Sequence, residues 1–82
     1  MNDYIVTIGL RGCTISKEAI KRVIKRNADV SITNEVTKIL DHQMLWEFSS
    51  TDNDIENKVQ KVLDDMYLER SIYGGNIKKK QK

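Results

Sequence analysis

The spacing of apolar residues switches period along this chain, and the switching limits which folds are open to it. In "YIVTIGL", residues 4–10, side chains alternate, with Tyr4, Val6, Ile8 and Leu10 on one side and Ile5, Thr7 and Gly9 on the other. Residues 17–27 then place Ala19, Ile20, Val23 and Ile24 on one helical stripe, with Ser16 as a natural N-cap. The period returns to two over "VSITNEVTKIL" (30–40) and "QMLWEFS" (43–49), joined by a tight turn at Asp41 and His42. A second helical stripe, Ile55, Val59, Val62, Leu63 and Met66, belongs to a helix starting near Thr51 or Asp52. The expected order is βαββα.

Beyond Leu68 two readings stand. The helix continues through Tyr73 with Gly74 as its left-handed cap, or it stops and "SIYGGNI" forms a fourth, edge strand. The poor helix propensity of Ser71, Ile72 and Tyr73 favours the strand. The order is then that of an α+β ferredoxin-like split βαβ plait, an antiparallel sheet with two helices on one face. Met44, Trp46 and Phe48 fall on the covered side, and Gln43, Leu45 and Glu47 on the open one. Residues 1–77 make one domain, and 78–82 a disordered basic tail.

A single cysteine in 82 residues permits no internal disulfide, so the core alone must stabilise a small domain. With 39% hydrophobic and 32% charged residues the composition is that of a soluble globule. The longest apolar run is too short to cross a membrane, and no secretory signal precedes it. These features predict a cytosolic protein, complete as given, with no membrane partner.

The net charge of +2 conceals a dipolar layout. Residues 11–26 hold Arg11, Lys17, Lys21, Arg22, Lys25 and Arg26 against Glu18 alone. Residues 41–69 hold eight acids against Lys58 and Lys61. The tail adds Lys78, Lys79, Lys80 and Lys82. Cations of the first helix that do not serve a partner are expected to pair with acids of the second.

The loop "GLRGCTIS" (9–16) lacks the spacing and the Lys-Ser/Thr pair of a phosphate-binding loop, and no arginine follows Cys13 closely enough for a phosphatase. It turns the chain, with Ile15 stapling onto Ile20 and Ser16 capping. Topology brings Cys13 to the same rim as Asp41 and His42, with Arg11, Glu69 and Arg70 nearby, but no oxyanion donor completes a nucleophilic set. No ligand spacing for a metal exists, and Asp52, Asp54 and Glu56 read as acids at a helix N-terminus. No enzyme activity, metal or cofactor is expected.

In element order and length the chain resembles the RNA-recognition-motif family, whose bases stack on aromatics of the first and third strands. At the place of that family's aromatic–Gly–aromatic signature stands "HQMLWEF", with Trp46 and Phe48 on the core side, so no residue role carries over. The element order is also similar to that of the small subunit of phosphoribosylformylglycinamidine synthase, without a shared loop motif. Because its aromatics read as internal and its body without the tail is net negative, the chain is expected to be a non-enzymatic interaction or regulatory protein, of the inhibitor or accessory-subunit type. It would dock a macromolecule, a protein rather than nucleic acid, through Arg11, Lys17, Lys21, Arg22, Lys25, Arg26 and Leu45, on its basic helix, open sheet face or sheet edge. The alternative is a sequence-tolerant nucleic-acid binder using the same helix and the tail lysines. Self-association into a homodimer is compatible with both.

Overall fold

Alternation in "NDYIVTIG" and "QMLWEFSS" sends every second side chain to one face, and in the structure these two segments are the central strands. The structure, a computed structural model, describes residues 1–12 and 15–80. Its elements are β1 (Asn2–Gly9), α1 (Lys17–Ala28), β2 (Thr33–Leu40), β3 (Gln43–Ser50), α2 (Ile55–Leu68) and β4 (Gly74–Lys79). The four strands form one sheet in the order β2-β3-β1-β4, with every neighbouring pair antiparallel. The fold is α+β, with two helices packed against this antiparallel sheet.

Directly paired residues share a face. Tyr4, Val6 and Ile8 lie opposite Phe48, Trp46 and Met44, and all six are buried, as is Ile77 of β4 opposite Val6. Onto them pack Ile20, Ile24 and Ala28 of α1 and Ile55, Val59, Val62, Leu63 and Met66 of α2. Both helices thus cover the same face. The stripe expected for α2 is buried in full. On α1, Val23 packs at the margin of the core and Ala28 takes the inner place. Ile5, Thr7, Leu45 and Glu47 sit half-buried on the uncovered face.

Element ends depart from the sequence expectation for local reasons. Ser16 does cap α1, its hydroxyl accepting from the Ala19 N–H at 3.2 Å. Leu10 falls just beyond β1, where its N–H donates to the His42 carbonyl at 2.9 Å. β2 begins at Thr33 rather than residue 30, because Asp29 closes α1 in the left-handed region and Val30 and Ile32 pack onto the core as loop. α2 begins at Ile55, because Asp52 is used one turn earlier: its carboxylate accepts from the Asp54 N–H at 2.8 Å and pairs with Lys58 at 2.9 Å.

The end of α2 decides where β4 starts. Arg70 takes a left-handed φ of 63°, its N–H donates to the Tyr67 carbonyl at 3.0 Å, and the Ser71 N–H donates to the Met66 carbonyl at 2.9 Å. This is a Schellman closure with arginine in the place usually held by glycine. Ser71, Ile72 and Tyr73 become the connection, and the strand expected over 71–77 shifts to Gly74–Lys79. The boundary drawn at residue 77 therefore moves: Lys78 and Lys79 pair with Ile5 and Tyr4, and the Lys80 N–H donates to the Asp3 carbonyl at 2.8 Å. Lys82 lies outside the described residues.

The two sheet edges are finished differently. At β4 the Gln60 amide of α2 accepts from the Ile77 N–H at 3.2 Å and donates to the Gly75 carbonyl at 3.1 Å. One side chain stands in for the peptide group of a further strand, so the edge is covered. Gln60→Ala should therefore destabilise the domain by about 1–2 kcal/mol, read from urea unfolding, and speed exchange of the Ile77 amide about tenfold. Unchanged exchange and midpoint would mean that water satisfies this edge equally well.

Candidate interaction surfaces

The cations of α1 divide into two groups once β2 and β3 are in place. Trp46 is fully buried, and its indole N–H needs an acceptor; Glu35 Oε1 supplies it at 3.1 Å. The other oxygen, Glu35 Oε2, accepts from Lys25 Nζ at 2.8 Å. The ammonium groups of Lys21 and Lys25 each lie 6.0 Å from the Trp46 ring, the outer limit of a cation–π contact. Lys21 and Lys25 thus belong to the packing of β3. Lys17, Arg22 and Arg26 remain exposed, without an ion pair among the described residues. The expected pairing of first-helix cations with second-helix acids is not found there either: Lys25 turns to β2.

Burial alone would raise the Glu35 carboxyl, but the Lys25 hydrogen bond and charge, the Trp46 N–H and the Lys21 charge together bring it below its ordinary value. On the open face the Lys80 hydrogen bond and charge lower Glu47 and raise Lys80 in turn. Lys80 and Glu47 thus form a surface ion pair that reaches across β1 to β3. Lys78 stands beside Ile5 on that same open face.

Register lays out the rest of the open face. Leu45 sits between Thr7 and Lys38, Glu47 between Ile5 and Val36, and Gln43 between Gly9 and Leu40. Leu45, expected as a docking residue, is half-buried among these neighbours. Tyr4, Trp46 and Phe48 are internal as expected, but Tyr67 and Tyr73 are exposed. The exposure of Tyr67 follows from its place one residue past Met66 on the helical stripe; Tyr73 gave no such signal.

Arg11 and Arg70 meet at one rim, around a groove of about 450 Å³ that also takes in Tyr67, Leu68, Ile72 and Tyr73. The Asp41–His42 turn is joined to this end of β1 through Leu10, and His42 lies 3.6 Å from Asp41. Cys13 lies outside the described residues. Among the described residues no group of three or more His, Cys, Asp and Glu side chains could hold a metal, and no helix is long and apolar enough to cross a membrane.

The edge of β2 is a surface that the sequence left unassigned to particular residues. Val36, Ile39 and Leu40 are each about half exposed, and among the described residues none covers the outward backbone groups of this strand. β4 carries Lys78, Lys79 and the Gln60 cover instead. No protein-family model matches the chain, nor does any curated protein or solved structure.

The Glu35 junction makes a pH prediction. Its folded carboxyl lies below its ordinary value of 4.5, so its stabilisation is complete above that pH and is lost as pH falls through the lower folded value. Glu35→Gln keeps an acceptor for Trp46 and should cost less than about 1 kcal/mol near neutrality, while flattening the acid limb. Glu35→Ala orphans the indole N–H and should cost about 1–3 kcal/mol. Melting followed by Trp46 fluorescence from pH 3 to 7 checks both; equal losses in the two variants would remove the indole bond from the account.

Proposed function

We propose that this chain is a small non-enzymatic interaction protein, of the regulatory or accessory type, that docks a protein partner by accepting an extended segment along the edge of β2. The observation that carries this reading is the contrast between the two edges. Natural sheets blunt an edge with charge, bulges or a cover. β4 has lysines and Gln60, whereas β2 offers Val36, Ile39 and Leu40 with open backbone groups. The bulge between Thr33 and Val36 and the single Lys38 leave the apolar stretch from residue 36 to 40 in regular register. We also read the fold as a ferredoxin-like split βαβ plait. Parallel β1 and β2 with β3 between them, and both helices on one face, support that reading.

An added strand would meet different chemistry on its two sides. Its open-face side chains would lie against Val36 and Leu40, and its helix-side chains near Ile39 and the Lys21 and Lys25 ammonium groups. The fitting segment therefore alternates apolar and acidic residues, backbone pairing giving affinity and the alternate pockets specificity. Exposed Arg22 and Arg26 add attraction at longer range.

The test is capture of partners from nuclease-treated lysate by the immobilised chain, wild type against the Val36→Lys, Ile39→Lys double variant. Both positions are half exposed, so the double variant should lose about 1 kcal/mol or less of stability yet reduce captured protein at least tenfold. Arg22→Glu with Arg26→Glu should slow association in a salt-dependent way. Captured material that disappears on nuclease treatment, untouched by the edge substitutions, would replace this reading with nucleic-acid binding through the basic helix and β4 lysines. A homodimer dissolved by the double variant would make a second copy the strand donor.

A further inference from the structure

The two helices carry opposite charge on their exposed sides and do not spend it on each other. Lys17, Arg22 and Arg26 of α1 are exposed, as are Asp64, Asp65 and Glu69 at the end of α2. None of these makes an ion pair among the described residues. The helices lie side by side on one face of the sheet. Between them runs a groove of about 540 Å³, with Val23 and Asn27 of α1 on one side and Val62 and Asp65 of α2 on the other.

Helix polarity sharpens the contrast. A helix N-terminus favours anions and a C-terminus favours cations. Yet α1 opens on Lys17, and α2 ends on Asp65 and Glu69 with no basic residue in its last turn. β1 and β3 are antiparallel, and each turns back into the helix that follows it, so α1 and α2 are antiparallel as well. The start of α1 and the end of α2 thus share one end of the helix layer. Opposite charges that their own helices disfavour are gathered there, exposed and without an ion pair among the described residues.

We propose that the helix layer is a contact surface for a second copy of this chain, related by a two-fold axis along the groove, so that α1 of each copy lies over α2 of the other. That axis keeps the ends of the layer aligned, so Lys17 and Arg22 of one copy face Asp65 and Glu69 of the other, and symmetry repeats the set. An axis across the helices would instead lay α1 on α1, with Arg22 and Arg26 against their own counterparts, and like charges so placed oppose association. Nucleic acid fits this layer poorly. A phosphate backbone along α1 would run beside the acids of α2, at a helix spacing of ~8–10 Å that is no more than a Debye length. Leu68, exposed on the last turn of α2, adds apolar surface at the same end. The contact leaves the β2 edge free and does not depend on that edge's role.

The test is sedimentation equilibrium of the full chain, up to about 1 mM, at about 50 and about 500 mM salt, which bracket the screening of surface charge. The wild type should form a reversible dimer at low salt that weakens about tenfold or more at high salt. Lys17→Glu with Arg22→Glu should abolish it, and so should Asp65→Lys with Glu69→Lys. Lys17→Glu, Asp65→Lys and Glu69→Lys all follow the helix dipoles and Arg22 is exposed, so both variants should stay folded. The deciding sample is their equimolar mixture. Each reversed helix then meets its complement, and a heterodimer should form within about threefold of wild-type affinity. The Val36→Lys, Ile39→Lys variant should dimerise like the wild type. A chain monomeric at low salt, a dimer indifferent to salt, or a mixture that stays monomeric would each overturn the proposal. A dimer lost only with the edge substitutions would overturn it too, and would assign self-association to β2.

Discussion

The indole N–H of Trp46 is the demand around which the covered half of this molecule is arranged. The ring is the largest fully buried side chain, and it lies at the centre of β3, edge-on to Phe48 at 4.8 Å between centroids. A buried N–H without an acceptor would cost about 1–3 kcal/mol, a sizeable share of a small domain's stability. The acceptor comes from β2, and supplying it shapes that strand. Asn34 enters the left-handed region, the β2–β3 register breaks between Thr33 and Val36, and Glu35 is delivered to the helix side. Lys25 and Lys21 then gather over the same carboxylate and ring. Part of the basic face of α1 is thus an electrostatic consequence of burying a tryptophan beside a carboxylate.

That arrangement bears on the sheet's outer edges. Glu35 is occupied inward, so beyond the bulge the outer strand is left with Lys38 as its only charge from Val36 to Leu40. At the far side the opposite happened, because α2 lies close enough to β4 for Gln60 to reach Gly75 and Ile77. Gly75 permits that approach: a Cβ there would meet Leu63 at 3.1 Å and the Thr7 carbonyl at 3.3 Å. A sheet with one covered and one uncovered edge has a directional surface, and strand addition is favoured at only one side.

Much of the fold was legible because it rests on local period. The alternation of Tyr4, Val6, Ile8 and of Met44, Trp46, Phe48, the stripe of α2 and the Ser16 cap are all short-range patterns, and each appears in the structure where the sequence put it. What escaped depends on groups far apart in the chain. The Glu35–Trp46 bond needs the β2–β3 register, and the Gln60 bridge needs α2 docked on β4; neither residue type announces the role. The start of β4 was placed too early because Ser71, Ile72 and Tyr73 have strand-like propensity, whereas the left-handed closure at Arg70 makes them the connection. The lysines from residue 78 onward read as a solvated tail, since pairing of Lys78 and Lys79 with β1 follows only from where β4 starts.

The positive-φ residues separate inexpensive strain from strain that calls for a reason. Asp29, Asn34 and His42 belong to types that enter the left-handed region relatively often, and each sits where a helix ends, a strand bulges or a hairpin turns. Arg70 is of a different type. Among the described residues its long side chain makes no local hydrogen bond that would favour the conformation, and glycine would close the helix with less strain. Its backbone duty explains the turn but not the choice of arginine. Arg70 also lines the rim groove together with Arg11 and the exposed Tyr67 and Tyr73. The strained backbone and the groove lining are separate observations on the same residue, at the opposite side of the sheet from the β2 edge.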